Sequence, residues 1–178
     1  LTLNPDFGQI EMDPKYINLS YYEIQLPEKR SFFSNSESFF NTPIEIFYSR
    51  RIGSSLDSID NRINSALKID GENTKNLSYS FLISNTSNKN TKYKFSNNTN
   101  SNSYYIGRIT KEFSHIEATS IFGLTGTHFS NQYRKSSVIS LDNLIYLLSN
   151  QLIVDYQIAT SILDNKYLNT YSSFGGLS

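Results

Sequence analysis

The residues best equipped for chemistry in this sequence are charged side chains gathered in its N-terminal third. This N-terminal charged cluster comprises Asp6, Glu11, Asp13, Glu28, Lys29, Arg30, Arg50 and Arg51. Guanidinium and carboxylate groups form two-pronged ion pairs, which fasten protein segments and can also present a docking or selectivity surface to a ligand. We favour the structural interpretation and assign no ligand-binding residue from the sequence.

A catalytic constellation is not indicated. Glu11 and Asp13 share one face of a short strand, a geometry that suits acid and base catalysis, but the sequence indicates no cleft around them. His115 and His128 fall in a predicted turn and a predicted loop, without the spacing of metal ligands. Residues 123–126 lack the lysine of a phosphate-binding loop, and the absence of cysteine excludes thiolate chemistry. We therefore expect no enzymatic activity, no metal and no cofactor.

The composition favours a β-rich protein that does not bind nucleic acid. The 178 residues leave room for one domain, and 16 Lys and Arg balance 16 Asp and Glu. A net charge of zero gives no general attraction for nucleic acid. Charged residues make up 18% of the chain, against about 25% in an average soluble domain, because 28 serines and 20 asparagines supply most of the polarity. The aromatic residues are all tyrosine and phenylalanine, which favour strands.

Apolar residues recur at every second position from residue 61 onward, as in strands whose two faces differ. The predicted strands cover residues 61–69, 77–84, 104–113, 116–125, 137–148 and 151–161. Residues 141–148 also fit a helix by their apolar spacing. The hairpin distance to the next run favours a strand there.

Short turns alternate with longer polar connections between these strands. Asp70-Gly71 and Ser114-His115 are predicted as tight turns, and residues 85–103 and 126–136 as polar loops. Short turns on one rim and long loops on the other are typical of outer-membrane β-barrels.

The polar face of the predicted strands carries mainly Ser, Thr, Asn and Gln, while Tyr and Phe lie at or near strand ends. A water-filled lumen and aromatic girdles produce this pattern, although an ordinary antiparallel sheet fits it as well. No window approaches about 18 consecutive apolar residues, which excludes a transmembrane helix but not membrane-spanning strands. The predicted fold is all-β, an antiparallel meander that forms part of a transmembrane β-barrel and is incomplete in this chain.

In such a barrel the N-terminal charged cluster is expected to face the lumen, because charge on the lipid face costs about 2–4 kcal/mol near the midplane. Residues 1–53 are interpreted as an N-terminal segment at the start of the barrel region, lumenal or periplasmic. Residues 54–178 are interpreted as the first hairpins of the barrel. The lack of an initiator methionine predicts that the chain is an internal fragment of a longer protein.

Three sequence blocks carry a resemblance to a known family. They are Asn-Pro-Asp-Phe-Gly-Gln-Ile-Glu-Met-Asp at 4–13, Leu-Pro-Glu-Lys-Arg-Ser-Phe-Phe at 26–33 and Phe-Tyr-Ser-Arg-Arg-Ile-Gly at 47–53. In this order they resemble the β-barrel region of the DUF5916 family of Bacteroidetes-type envelope proteins, and the later strands follow the rhythm of that family. Ser31 stands where the family usually has proline, and residues 34–38 replace its acidic, glycine-containing stretch, so a role of that loop does not carry over.

The resemblance implies a bacterial outer-membrane protein in contact with outer-membrane lipid. Members of the family carry a carbohydrate-binding family 9-like domain upstream of the barrel. This arrangement implies a role in carbohydrate or glycan binding or uptake, through a domain that is absent from this chain. Two alternatives stay open: a soluble, secreted β-sandwich that acts as a binding module, and a hydrolase of envelope polymers.

Overall fold

The computed structural model describes most of the chain. It covers residues 1–3, 25–35, 37–53, 61–88, 100–115, 118–148, 151–165 and 172–177. Among these residues, no helix has the length and apolar character needed to cross a bilayer. Asp6, Glu11 and Asp13 of the N-terminal charged cluster lie outside the described residues.

One antiparallel sheet holds every described strand. The strands are β1 (Thr2–Leu3), β2 (Asn61–Asn73), β3 (Leu77–Asn88), β4 (Asn100–Ser114), β5 (Ala118–Ser130), β6 (Arg134–Leu147), β7 (Leu152–Asn165) and β8 (Ser172–Leu177). Each strand pairs with the next in chain order, which confirms the predicted all-β antiparallel meander. Within the described residues, β1 and β8 each pair with a single neighbour. The sheet is therefore not closed, as expected of an incomplete barrel.

The predicted strands correspond to β2–β7, but two predicted turns are misplaced. Asp70-Gly71 lies inside β2, and the turn comes after Asn73, where Asn76 adopts a φ of 55°. Gly71 is needed for packing instead, because a Cβ there would lie 2.4 Å from the ring of its cross-strand partner Tyr79. The turn predicted at Ser114-His115 falls slightly later, since β4 includes Ser114.

The predicted polar loops are also shorter than expected, because polar residues extend the strands. Asn85 belongs to β3 and Ser103 to β4, and the Ser103 hydroxyl donates to the Asn85 side-chain oxygen at 2.9 Å. Residues 126–130 complete β5, and residues 134–136 begin β6. Side-chain hydrogen bonds across the ladder allow Asn and Ser to occupy strand positions that apolar periodicity does not mark. The helix alternative for residues 141–148 is wrong, since β6 continues to Leu147.

A compact N-terminal segment, residues 25–53, packs against one face of this sheet. It contains the helix α1 (Ser31–Ser34) and two 3₁₀ turns, Glu37–Phe40 and Ser49–Arg51. Its buried side chains join strand residues in a single apolar core made of Phe33, Phe40, Ile52, Ile63, Ala66, Leu82 and Ile106. We call the sheet face that contributes to this core the inner face, and the opposite face the outer face.

A β-bulge in β2 lets both Ile63 and Ala66 reach this core. Residues three apart on a regular strand point to opposite faces. The register between β2 and β3 shifts between Ile63 and Ser65, so the extra residue returns Ile63 to the inner face.

The two faces of the sheet have inverted polarity. Inner-face Ser80, Ser84 and Thr125 are fully buried, whereas outer-face Leu141 and Ile158 are 60% and 53% exposed. Sheets in water normally bury the apolar face and expose the polar one. The distribution of polar and apolar side chains over the two faces is therefore the reverse of that in an ordinary soluble sheet.

Candidate functional site

The inner face carries a continuous row of polar side chains across the sheet. Asp70, Ser80, Arg108, Thr125 and Ser140 are successive register partners on β2, β3, β4, β5 and β6. Asp142 and Gln157 lie one inner-face position further along β6 and β7 and are register partners of each other. Together these seven residues form what we call the polar belt.

A buried ion pair lies at the centre of the polar belt. The Arg108 guanidinium donates to both carboxylate oxygens of Asp142, at 2.6 and 2.7 Å, and their side chains are only 7% and 5% exposed. Arg108 Nη1 also lies 2.6 Å from the Thr125 hydroxyl. The two-pronged geometry and the added hydrogen bond satisfy charges that would be costly to bury unpaired.

Gly123 makes room for this ion pair. It is the register partner of Asp142, and a Cβ at this position would lie 2.5 Å from an Asp142 carboxylate oxygen and 2.6 Å from Arg108 Nη2. Such distances are too short for any side chain. The glycine is therefore explained by the space that the Arg108–Asp142 pair occupies above it.

The N-terminal segment is bound near both ends of the polar belt, by Gln157 on β7 and by Lys68 beside Asp70 on β2. On β7, the Gln157 amide donates to the Ser140 hydroxyl at 2.7 Å and accepts from the Ile44 backbone N–H at 2.5 Å. On β2, the Lys68 ammonium donates to the Phe32 carbonyl at 2.7 Å, and it lies 3.5 Å from Asp70. These bonds connect opposite sides of the sheet through the segment that covers it.

A second ion pair fixes the N-terminal segment internally. Arg30 donates to both carboxylate oxygens of Glu28, at 2.8 and 2.6 Å, and to the carbonyls of Ile52 and Ser49, at 2.6 and 2.9 Å. The Ser49 hydroxyl adds a bond to Glu28 at 2.7 Å. Burial alone raises the pKa of Glu28, but the hydrogen bonds from Arg30 and Ser49 and the charge of Arg30 outweigh burial and hold this pKa below its ordinary value of 4.5.

The structure brings together two members of the N-terminal charged cluster in a direct ion pair. Glu28 and Arg30 form its paired centre, and Arg50 donates to the Pro27 carbonyl at 2.6 Å. Lys29 and Arg51 are exposed at the surface of the segment. The Glu28–Arg30 pair is an ion pair of the kind expected within the cluster, and its lumenal location stays a prediction.

Sequence analysis did not select the residues of the polar belt. Arg108 and Asp142 are 34 positions apart, and only the register of β4, β5 and β6 brings them together. Both residues fall on the polar phase of their strands, which was the one available signal. His128, predicted in a loop, lies in β5, and its Nδ1 is 2.8 Å from the Ser137 hydroxyl.

The chemistry that these side chains offer is hydrogen bonding and ion pairing. Among the described residues, no group of three or more His, Cys, Asp or Glu could hold a metal ion. The polar belt combines hydroxyl, amide and carboxylate groups with one guanidinium, a set that binds polar partners by hydrogen bonds. In this structure the polar group that the belt binds is the backbone of the N-terminal segment, through Gln157 and Ile44.

Comparison with known proteins identifies a family for the first part of the chain. Residues 1–69 match the family model described as Domain of unknown function (DUF5916), the family that the three sequence blocks resemble. The matched region includes the N-terminal segment and residues 61–69 of β2. No curated protein and no solved structure matches the chain.

Proposed function

Starting from the DUF5916 assignment of residues 1–69, we propose that this chain forms part of a β-barrel in the outer membrane of a bacterium. In this proposal the protein contributes to the binding or uptake of carbohydrate or another glycan at the cell envelope. The observation that carries the barrel proposal is the inverted polarity of the two sheet faces.

The outer face suits a hydrocarbon solvent. Large apolar side chains remain exposed along its whole extent, among them Ile69, Phe81, Ile139, Leu141 and Ile162, each more than two fifths exposed. A soluble monomer seldom exposes an apolar surface of this size. Antiparallel pairing satisfies backbone groups between strands, as a membrane requires. Strands β3 to β7 have 12 to 15 residues, and about 9–11 are enough to cross a bilayer when tilted.

The inner face suits a lumen. The polar belt would be costly against lipid, and it is favourable where water or protein lies opposite. The N-terminal segment covers the inner face and is tied to it through Gln157 and Lys68. In the proposed barrel this segment is a lumenal plug, and the Glu28–Arg30 pair is its internal fastener.

The carbohydrate role rests on the family resemblance, in which a carbohydrate-binding domain precedes the barrel. Neutral hydroxyl groups on the inner face, such as those of Ser78, Thr110 and Thr127, add a surface that can exchange hydrogen bonds with sugar hydroxyls. No described constellation favours turnover, so the proposed role is binding or transport.

The full-length protein, expressed in a bacterium that has an outer membrane, tests the barrel. We expect it to remain in carbonate-washed outer membranes and to migrate differently on a gel with and without boiling. Replacing Leu67, Phe81 or Val154 with Arg should prevent membrane assembly, because each lies on the outer face. The inner-face control Ser78→Gln should assemble normally. Soluble or peripheral behaviour of the parent protein would favour the secreted β-sandwich instead.

A further inference from the structure

The outer face contains one row of residues that differs from its neighbours. Four register partners on β4–β7 form this amphipathic row: Lys111, Phe122, Asn143 and Tyr156. The adjacent row along the same strands is apolar and consists of Ile109, Leu124, Leu141 and Ile158. All eight residues line one groove of about 400 Å³.

The polar atoms in this groove are built into a hydrogen-bonded site. Asn143 is only 3% exposed although it lies on the outer face. Its side-chain oxygen accepts from the Ser120 hydroxyl at 2.8 Å, and its amide donates to the Tyr156 hydroxyl at 3.1 Å. The Tyr156 oxygen is then the acceptor in that bond, so its own hydrogen is directed to a further acceptor. An acceptor seated in the groove would complete this chain of bonds.

A cation lies at the same level of the sheet. The Lys111 ammonium donates to the Lys75 carbonyl in the β2–β3 turn, and it lies 5.6 Å from the Phe113 ring. Lysine and aromatic side chains of this kind collect where a membrane protein meets the headgroups. The amphipathic row therefore marks the polar end of the groove, and Lys111 gives that end a positive charge.

A second groove continues from the first toward the far end of the strands. It has a volume of about 470 Å³, and its lining includes the adjacent glycines Gly107 and Gly126. A Cβ at Gly126 would meet no atom within 4 Å, so the space above this residue is open. From Phe122 to His128 the two grooves extend over seven residues of β5, about 20 Å of extended strand. This length exceeds one half of a hydrocarbon core about 30 Å thick.

We propose that these two grooves bind one phospholipid of the outer membrane. Its phosphate lies toward Lys111, an ester carbonyl accepts from the Tyr156 hydroxyl, and one acyl chain lies over Gly126, beside the Phe81 ring that covers Gly107. The amphipathic lining favours a lipid over a second copy of the chain, because a phospholipid supplies an anion, an acceptor and an apolar tail in that order. This inference rests on the proposed membrane location.

Spin-labelled phosphatidylglycerol, mixed into vesicles that hold the full-length protein, tests the site by the fraction of motionally restricted label. Gly126→Leu places a side chain in the open space above Gly126, where a Cβ meets no atom within 4 Å, and should abolish the site-specific restricted fraction. The double change Asn143→Leu with Tyr156→Phe should weaken lipid retention about three- to tenfold, as expected for the loss of one or two hydrogen bonds. Lys111→Gln should reduce the preference for phosphatidylglycerol over phosphatidylcholine.

Thr160→Val is the matched control, since it removes an exposed outer-face hydroxyl outside both grooves, and it should leave the label unchanged. Heat-dependent gel mobility must be retained in every variant. Unchanged label in Gly126→Leu, with mobility intact, would overturn the lipid site alone. Cross-linked dimers that Gly126→Leu disrupts would also overturn it, in favour of a second copy. A parent protein without the mobility shift would instead contradict the proposed barrel.

Discussion

Four consecutive residues of β6 illustrate how different the two faces of this sheet are. Ser140 and Asp142 are 1% and 6% exposed, whereas Ile139 and Leu141, on the opposite face, are 58% and 60% exposed. The backbone is the same on both faces, so the difference lies in what each face contacts. Polar groups on the inner face are paired with each other and with the N-terminal segment, while apolar groups on the outer face have no protein layer above them among the described residues.

The comparison shows that a sheet can bury its polar side chains and expose its apolar ones while the buried polar groups keep their hydrogen-bond partners. Among the described residues, one buried side-chain atom, the Thr86 hydroxyl, lacks a partner. The inner face is therefore stabilised by polar pairing as well as by the apolar core beneath the N-terminal segment, and assembly of the outer face depends on the solvent around it. Substitutions on the inner face should therefore lower the free energy of unfolding, whereas substitutions on the outer face should impair the proposed membrane assembly.

The largest stability effect should follow loss of the carboxylate in the polar belt. Asp142→Ala leaves the Arg108 charge buried and unpaired, which costs about 3–5 kcal/mol of unfolding free energy, measured by urea titration of the reconstituted protein. Asp155→Ala, an exposed carboxylate on the neighbouring strand, should cost less than about 0.5 kcal/mol. Equal effects of the two changes would show that the buried pair is not what holds the inner face together.

Acid should release the N-terminal segment. Because the pKa of Glu28 is lowered on folding, the stability from this group is complete above pH 4.5 and is lost as the pH falls through the lowered value. Glu28→Gln should cost about 1.5–3 kcal/mol at neutral pH and remove this acid-dependent step. Limited proteolysis of residues 25–53 against pH measures both, and a step that persists in the variant would contradict the assignment.

Gly123 and Gly126 of β5 lie on opposite faces of the sheet. The same substitution of glycine by alanine can therefore be compared on the inner and the outer face. Gly123→Ala should destabilise the protein by about 1–3 kcal/mol, because the new methyl group meets the Arg108–Asp142 pair. Gly126→Ala, three residues away on the outer face, meets open space and should change stability by less than about 0.5 kcal/mol. Urea titration of the two variants side by side would contradict the packing argument if their order were reversed.

The smallest effect concerns a single connection between the two regions. Lys68→Met removes the hydrogen bond to the Phe32 carbonyl and should loosen the N-terminal segment by about 0.5–1.5 kcal/mol, without unfolding the sheet. Faster proteolysis of the segment, with unchanged heat-dependent mobility, is the expected result. Lys75→Met, at an exposed turn, is the control.

Local patterns in the sequence predicted more of this molecule than long-range ones did. Period-two alternation located β2–β7, because one face of each strand is mainly apolar. The Glu28–Arg30 pair was among the predicted residues because its partners are two positions apart. The Arg108–Asp142 pair depends on the register of three strands, and Gly71 serves packing where a turn was predicted, so neither could be deduced from spacing alone.

The most direct measurement of the central claim is a cysteine scan along β6, for which the chain is suited because it contains no cysteine of its own. Single cysteines at Val138, Ile139, Ser140 and Leu141 of the full-length protein would carry a fluorophore, in vesicles whose acyl chains carry a quencher. We predict strong quenching at Ile139 and Leu141 and weak quenching at Val138 and Ser140. Uniform or opposite quenching would contradict the assignment of the outer face to lipid.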